Sequence, residues 1–90
     1  MPVFVHHIEL PSTCRSGGSC VAQLTYVRGG PVAVTCATPG YTCEPSQKQL
    51  PYRPQLTTVP LALTITGQPG RCEVVATGAT QARDTTEVTK

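Results

Sequence analysis

The segment CVAQLTYVRGGPVAVTC, residues 20–36, decides the fold class. From Cys20 to Val27 it alternates, placing Cys20, Ala22, Leu24 and Tyr26 on one face. Successive side chains of an extended strand point to opposite faces, so a period of two buries one row and exposes the next. Arg28-Gly29-Gly30 then predicts a turn. Beyond it Val32, Val34 and Cys36 alternate with Ala33 and Thr35 in a second strand.

The same period recurs along the chain. Phe4 to Leu10 is strand-like and stops at Pro11, and Tyr41 to Glu44 predicts a short strand. Leu61, Leu63 and Ile65 share one face of residues 59–66, and Cys72, Val74 and Ala76 share one face of the next strand. Residues 80–90 are polar and suit an edge strand or a frayed end. Pro39-Gly40, Gln68-Pro69-Gly70 and Gly78 punctuate these runs as turns. The polar, proline-rich stretch from Pro45 to Pro54 predicts a loop with an extended edge. No window repeats apolar residues at helical spacing over three turns. The expectation is one all-β domain over residues 1–90, an antiparallel sandwich of about seven strands or a small barrel.

Composition narrows the function. Ninety residues bury a modest core, which is marginal without covalent help. Charged residues make up 13% of the chain, about half the usual share, and the net charge of +2 is scattered. No basic run marks a nucleic acid or a membrane as partner, and no stretch is long enough for a membrane span. Three Tyr, one Phe and no Trp make a poor base-stacking platform. Five cysteines in so short a chain indicate disulfides and an oxidising final environment. The opening MPVFVHHIEL has no basic n-region, sustained apolar run or small-residue cleavage site. The chain is therefore expected either to have lost a signal or to be made in a cytoplasm and meet oxidant later.

Catalytic and metal chemistry find little support. The cysteines at 14, 20, 36, 43 and 72 form no Cys-x-x-Cys pair, so no zinc knuckle or dithiol redox motif is signalled. A phosphate-cradling cysteine loop needs Arg six residues after its Cys, but those positions hold Cys20 and Tyr26. His6 and His7 are adjacent, so in a regular strand their rings point to opposite faces, one half-buried and one exposed. Glu9, Glu44, Glu73, Asp84 and Glu87 show no pairing for acid–base work. No nucleophile elbow or phosphate-binding glycine loop is present. The expectation is a protein that is not an enzyme, with no cofactor and no metal. Structural disulfides are the expected use of the cysteines, in two bridges with one left over and the connectivity open. Cys36 and Cys43 flank the Pro39-Gly40 turn, so a local bridge there is natural. One segment, QKQLPYRPQ at 47–55, is a candidate interaction surface through Leu50, Pro51, Tyr52 and Arg53. Proline-fixed extended segments that carry an aromatic and an arginine make low-entropy contact patches.

The order of signals resembles the immunoglobulin-like domains of bacterial and phage surface proteins. The residues that carry the likeness are IELP (8–11), RSGGS (15–19), VAQLTYVRGG (21–30) and PVAVTC (31–36). They continue as TPGYTCEP (38–45), VPLALTITGQPGRCEVVATG (59–78) and TQARDTTEV (80–88). The resemblance implies an immunoglobulin-like sandwich in which Cys20 and Cys72 open facing strands. It thus implies a Cys20–Cys72 bridge between sheets, together with Cys36–Cys43, and leaves Cys14 unpaired on a surface loop. Such a bridge would close about 50 residues and contribute about 4 kcal/mol in the loop-entropy model. The rival arrangement is Cys14–Cys20 with Cys36–Cys43, leaving Cys72 as a buried thiol. The expected role is a structural or binding module of a virion surface, a phage capsid decoration or cementing protein. Its expected partners are capsid or surface-array subunits, with assembly into a homo-oligomer. The alternatives are a secreted or cell-surface adhesion or filament module and a small secreted enzyme inhibitor.

Overall fold

A computed structural model describes residues 3–90 as seven strands, with no helix among the described residues. They are β1 (Phe4–Glu9), β2 (Thr13–Arg15), β3 (Ser19–Cys36), β4 (Thr42–Glu44), β5 (Gln47–Thr66), β6 (Gly70–Thr77) and β7 (Gln81–Thr89). They form one sheet in the order β2-β7-β6-β3-β5-β4, with β1 pairing the first half of β3 on the edge where β6 pairs the second. All pairings are antiparallel except β2 with β7, so the sheet is mixed rather than purely antiparallel.

Two long strands organise the molecule. The predicted turn at Arg28-Gly29-Gly30 is a bend inside β3, which runs unbroken for 18 residues. The predicted loop from Pro45 to Pro54 is largely the first part of β5, which runs for 20. Each strand changes neighbours at the bend. The first half of β3 lies between β1 and the second half of β5, pairing Ser19–Tyr26 with Thr57–Thr64. The second half of β3 lies between the first half of β5 and β6, pairing Ala33–Cys36 with Val74–Thr77. Strands that switch partners through bulges are how one sheet turns a corner and folds over itself.

The fold-over brings β1 onto β7. The Leu10 amide donates to Asp84 Oδ2 (2.8 Å), and the Thr80 hydroxyl donates to the Val5 carbonyl (2.8 Å). Between the two halves lies a single core that includes Ile8, Leu24, Tyr26, Val34, Ile65 and Val74, all buried. Burial of such side chains contributes about 1.5–3 kcal/mol each, the main favourable term in so small a domain. No buried side-chain nitrogen or oxygen among the described residues lacks a partner.

Strand β1 departs from regular alternation. Val5 and Ile8 are both buried although three residues apart. A period of two cannot turn both inward, and a bulge opposite Tyr26–Thr25 supplies the extra residue. His6 and His7 are consequently both exposed, where regular alternation predicts one half-buried ring. The polar C-terminal segment is also no free edge. β7 is paired with β6 along its length and with β2 at its end, and it buries Thr86 and Val88.

The disulfides are Cys14–Cys20 and Cys36–Cys43, and Cys72 is a buried free thiol. The inter-sheet Cys20–Cys72 bridge is not formed, and Cys14 is neither unpaired nor on the surface, being 3% exposed. The reason is β2. Its parallel pairing sets Cys14 opposite Val88, on the core side. Ser16 to Ser19 then turn back tightly, with Gly17 at φ 77° and the Gly18 amide donating to the Arg15 carbonyl (3.0 Å). That return leaves the Cys14 and Cys20 Cα atoms 5.6 Å apart, within the span of a disulfide. Cys72 faces Thr86 across the β6–β7 ladder, and the Thr86 hydroxyl donates to the Pro11 carbonyl (2.7 Å) while lying 3.4 Å from Cys14 Sγ.

Candidate functional site

The bend of β3 and β5 carries the most exposed large apolar side chains among the described residues. From Tyr26 to Gly30, β3 takes four steps, while β5 takes seven from Thr57 to Leu50, so β5 carries three extra residues. They bulge outward, and Pro51 through Leu56 is exposed throughout. Pro51 and Pro54 explain why the ladder breaks here. Proline has no N–H to donate and is tolerated in sheets only at edges and bulges. The same rings fix φ, so the projecting segment is held extended, with Arg53 its one residue paired to β3, opposite Arg28.

Two contacts seat the projection on the core. Tyr26 is fully buried, and its hydroxyl donates to the Pro51 carbonyl (2.7 Å). Gly29 lies against the backbone of Pro51 and Tyr52, so closely that only a residue without Cβ fits. The segment thus has a fixed base and an exposed crest. The crest carries Tyr52 and Leu56, 57% and 58% exposed, the two most exposed large apolar side chains among the described residues. Arg53 stands between them and donates from Nη1 to the Tyr52 carbonyl (3.0 Å). Rigid tyrosine with arginine and aliphatic neighbours is the composition of protein-interface anchors.

Of the four predicted surface residues, Pro51, Tyr52 and Arg53 belong to this crest. Leu50 does not. It pairs with Gly30, is 3% exposed and belongs to the core. Two further exposed members, Arg28 and Leu56, and the buried Gly29 at the base carried no sequence signal as site residues. Arg28 joins the crest through its pairing with Arg53, and Gly29 through its approach to Pro51 and Tyr52, which sequence spacing does not reveal.

Other chemistry on the molecule is sparse. No three His, Cys, Asp or Glu side chains come together as metal ligands among the described residues. An open depression of about 530 Å³ lies between Val3, Ala33, Gln47, Thr77 and Gly78, with no titratable group in its lining. The Cys72 thiol is pushed up from its ordinary value of 9.0, first by burial and then by the Glu73 carboxylate. A thiol so placed stays protonated and is a poor nucleophile at neutral pH. No helix among the described residues is long and apolar enough to cross a membrane. The two disulfides indicate an oxidising environment. No protein-family model matches the chain, and no curated protein matches it.

Proposed function

We propose that this protein is a non-enzymatic structural module that binds another protein through the Pro51–Leu56 projection. The observation that carries the reading is the exposure of Tyr52 and Leu56 on a proline-fixed segment anchored by Tyr26 and Gly29. An apolar crest on a rigid base buries surface on binding with little ordering cost. The fold that suits this role is an immunoglobulin-like sandwich. Supporting it are the two strand halves with different neighbours, the β6–β7 hairpin and the parallel β2–β7 pair. The partner we favour is a repeated protein shell, with the module as a decoration or cementing subunit of a virion surface. Two disulfides suit a protein that must persist outside a cell. A cell-surface array would use the same crest in the same way.

The test is recovery of the protein with assembled particles or surface arrays from its source. The double variant Tyr52→Ser with Leu56→Ser exposes no new core and should keep its unfolding temperature. The reading expects wild type to sediment with the assembly and the double variant to stay behind. Equal recovery of the two proteins would remove the crest as the binding surface.

A further inference from the structure

Arg28 and Arg53 face each other directly across the β3–β5 ladder, both exposed. Like charges directly opposite in a sheet repel. Arg28 also holds φ at 75°, the left-handed region that a non-glycine residue occupies at a cost. No ion pair among the described residues offsets this. Neither β3 nor β5 contains an Asp or Glu, while Lys48 adds a third cation. The sole ion pair among the described residues, Arg83–Glu73 at 3.6 Å, belongs to the β6–β7 hairpin. Two local rules are therefore broken at one point, and that point adjoins Tyr52. Departures of this kind concentrate at functional sites, where a ligand resolves them.

We infer that Arg28 and Arg53 form a carboxylate clamp. On the reading of the crest as a binding surface, the partner presents an acidic protein segment. Its carboxylates lie across the two guanidinium groups, and an apolar side chain beside them rests on Tyr52 and Leu56. Each guanidinium offers a planar fork of donors that matches a carboxylate through two hydrogen bonds. One acidic residue between the arginines removes their repulsion on binding, so the strain of the free state favours the complex. Phosphate would also suit a guanidinium. Nucleic acids and anionic membranes, however, are held by many cations spread along a surface. Two paired arginines next to an exposed tyrosine fit a protein partner.

The clamp is tested by titrating isotope-labelled protein, followed by amide chemical shifts, with a capped peptide alternating Glu with Leu. Three comparison probes are a peptide alternating Lys with Leu, inorganic phosphate, and phosphatidylserine vesicles. The expected result is shift changes confined to Arg28, Arg53 and the Tyr52–Leu56 crest, with the acidic peptide alone. Binding should weaken about tenfold or more in Arg28→Gln with Arg53→Gln. It should fade as salt rises from about 0.05 to 0.3 M. Arg28→Gly supplies a second readout, since it should unfold at a higher temperature than wild type yet bind the acidic peptide less well. Silence with the acidic peptide, or an equal response to phosphate or vesicles, overturns the clamp. If the peptide fails while the Tyr52/Leu56 double variant still loses assembly, the clamp falls and the crest stands. If that variant keeps assembly, both fall.

Discussion

A Cβ at position 29 would lie 2.7 Å from Tyr52 Cα and 2.8 Å from both Pro51 O and Tyr52 N. These are backbone atoms and cannot swing aside as a side-chain tip can. Gly29→Ala therefore has to push β5 away from β3 at the base of the crest. We expect a loss of about 2 kcal/mol or more, read as a lower urea midpoint with an unchanged slope. A midpoint within error of wild type would mean that β5 does not approach β3 so closely. Cys72 gives a second test at this scale, through pH. Its thiol is held protonated by burial and by Glu73, above its ordinary value of 9.0. The unfolded chain then ionises first, so unfolding releases a proton at alkaline pH. The sign follows directly. Stability is unaffected below about pH 8, falls as pH climbs through 9.0, and levels off only above the folded value. Cys72→Ala should flatten that alkaline fall. A fall of equal steepness in the variant would assign it to other groups.

At the scale of elements, each disulfide joins neighbours in sequence. Cys14–Cys20 and Cys36–Cys43 span 6 and 7 residues, and loop entropy assigns each about 2 kcal/mol. Reduction should lower stability by about 4 kcal/mol in total, a large share of what a domain of this size possesses. Calorimetry with and without reductant measures it. An unchanged melting temperature would show that the strands carry the fold alone. How far these elements were legible depended on what each residue revealed locally. The alternation of Leu24 with Tyr26, of Leu61 with Leu63 and Ile65, and of Cys72 with Val74 marked buried strand faces, because one row of each lines the core. Arg28-Gly29-Gly30 misled, since glycines that close a hairpin and glycines that bend a strand look alike in sequence. Pro51 and Pro54 misled for a related reason. Proline argues against a regular ladder, and here it marks a bulge within a longer strand. The pairing of Cys14 depended on β2, a strand of only 3 residues fixed by a parallel partner over 70 positions away. No local pattern encodes such a contact. The crest was legible as a surface at Pro51, Tyr52 and Arg53. Its Arg28 neighbour depended on register.

The whole molecule is elongated, 39 × 19 × 16 Å, with the two long strands sharing a bend and a single core that draws on both halves. The bend that moves β3 and β5 from one half of the sheet to the other also gives β5 three residues more than β3, all within the Pro51–Leu56 crest. Fold and crest thus arise from the same register shift, with Tyr26 and Gly29 inside and Tyr52, Arg53 and Leu56 outside. The carboxylates stand on β1, β4, β6 and β7 and leave the two long strands purely cationic. The central claim is that this crest is where the protein meets its partner. Site-specific photo-crosslinking during assembly tests it most directly, with a photoreactive residue at Tyr52 and, as control, at Val21. Val21 is also exposed, at 44%, but lies on the first half of β3, away from the bend. The account predicts one discrete crosslinked partner through position 52 and none through 21. A partner captured through position 21, with none through 52, would contradict it.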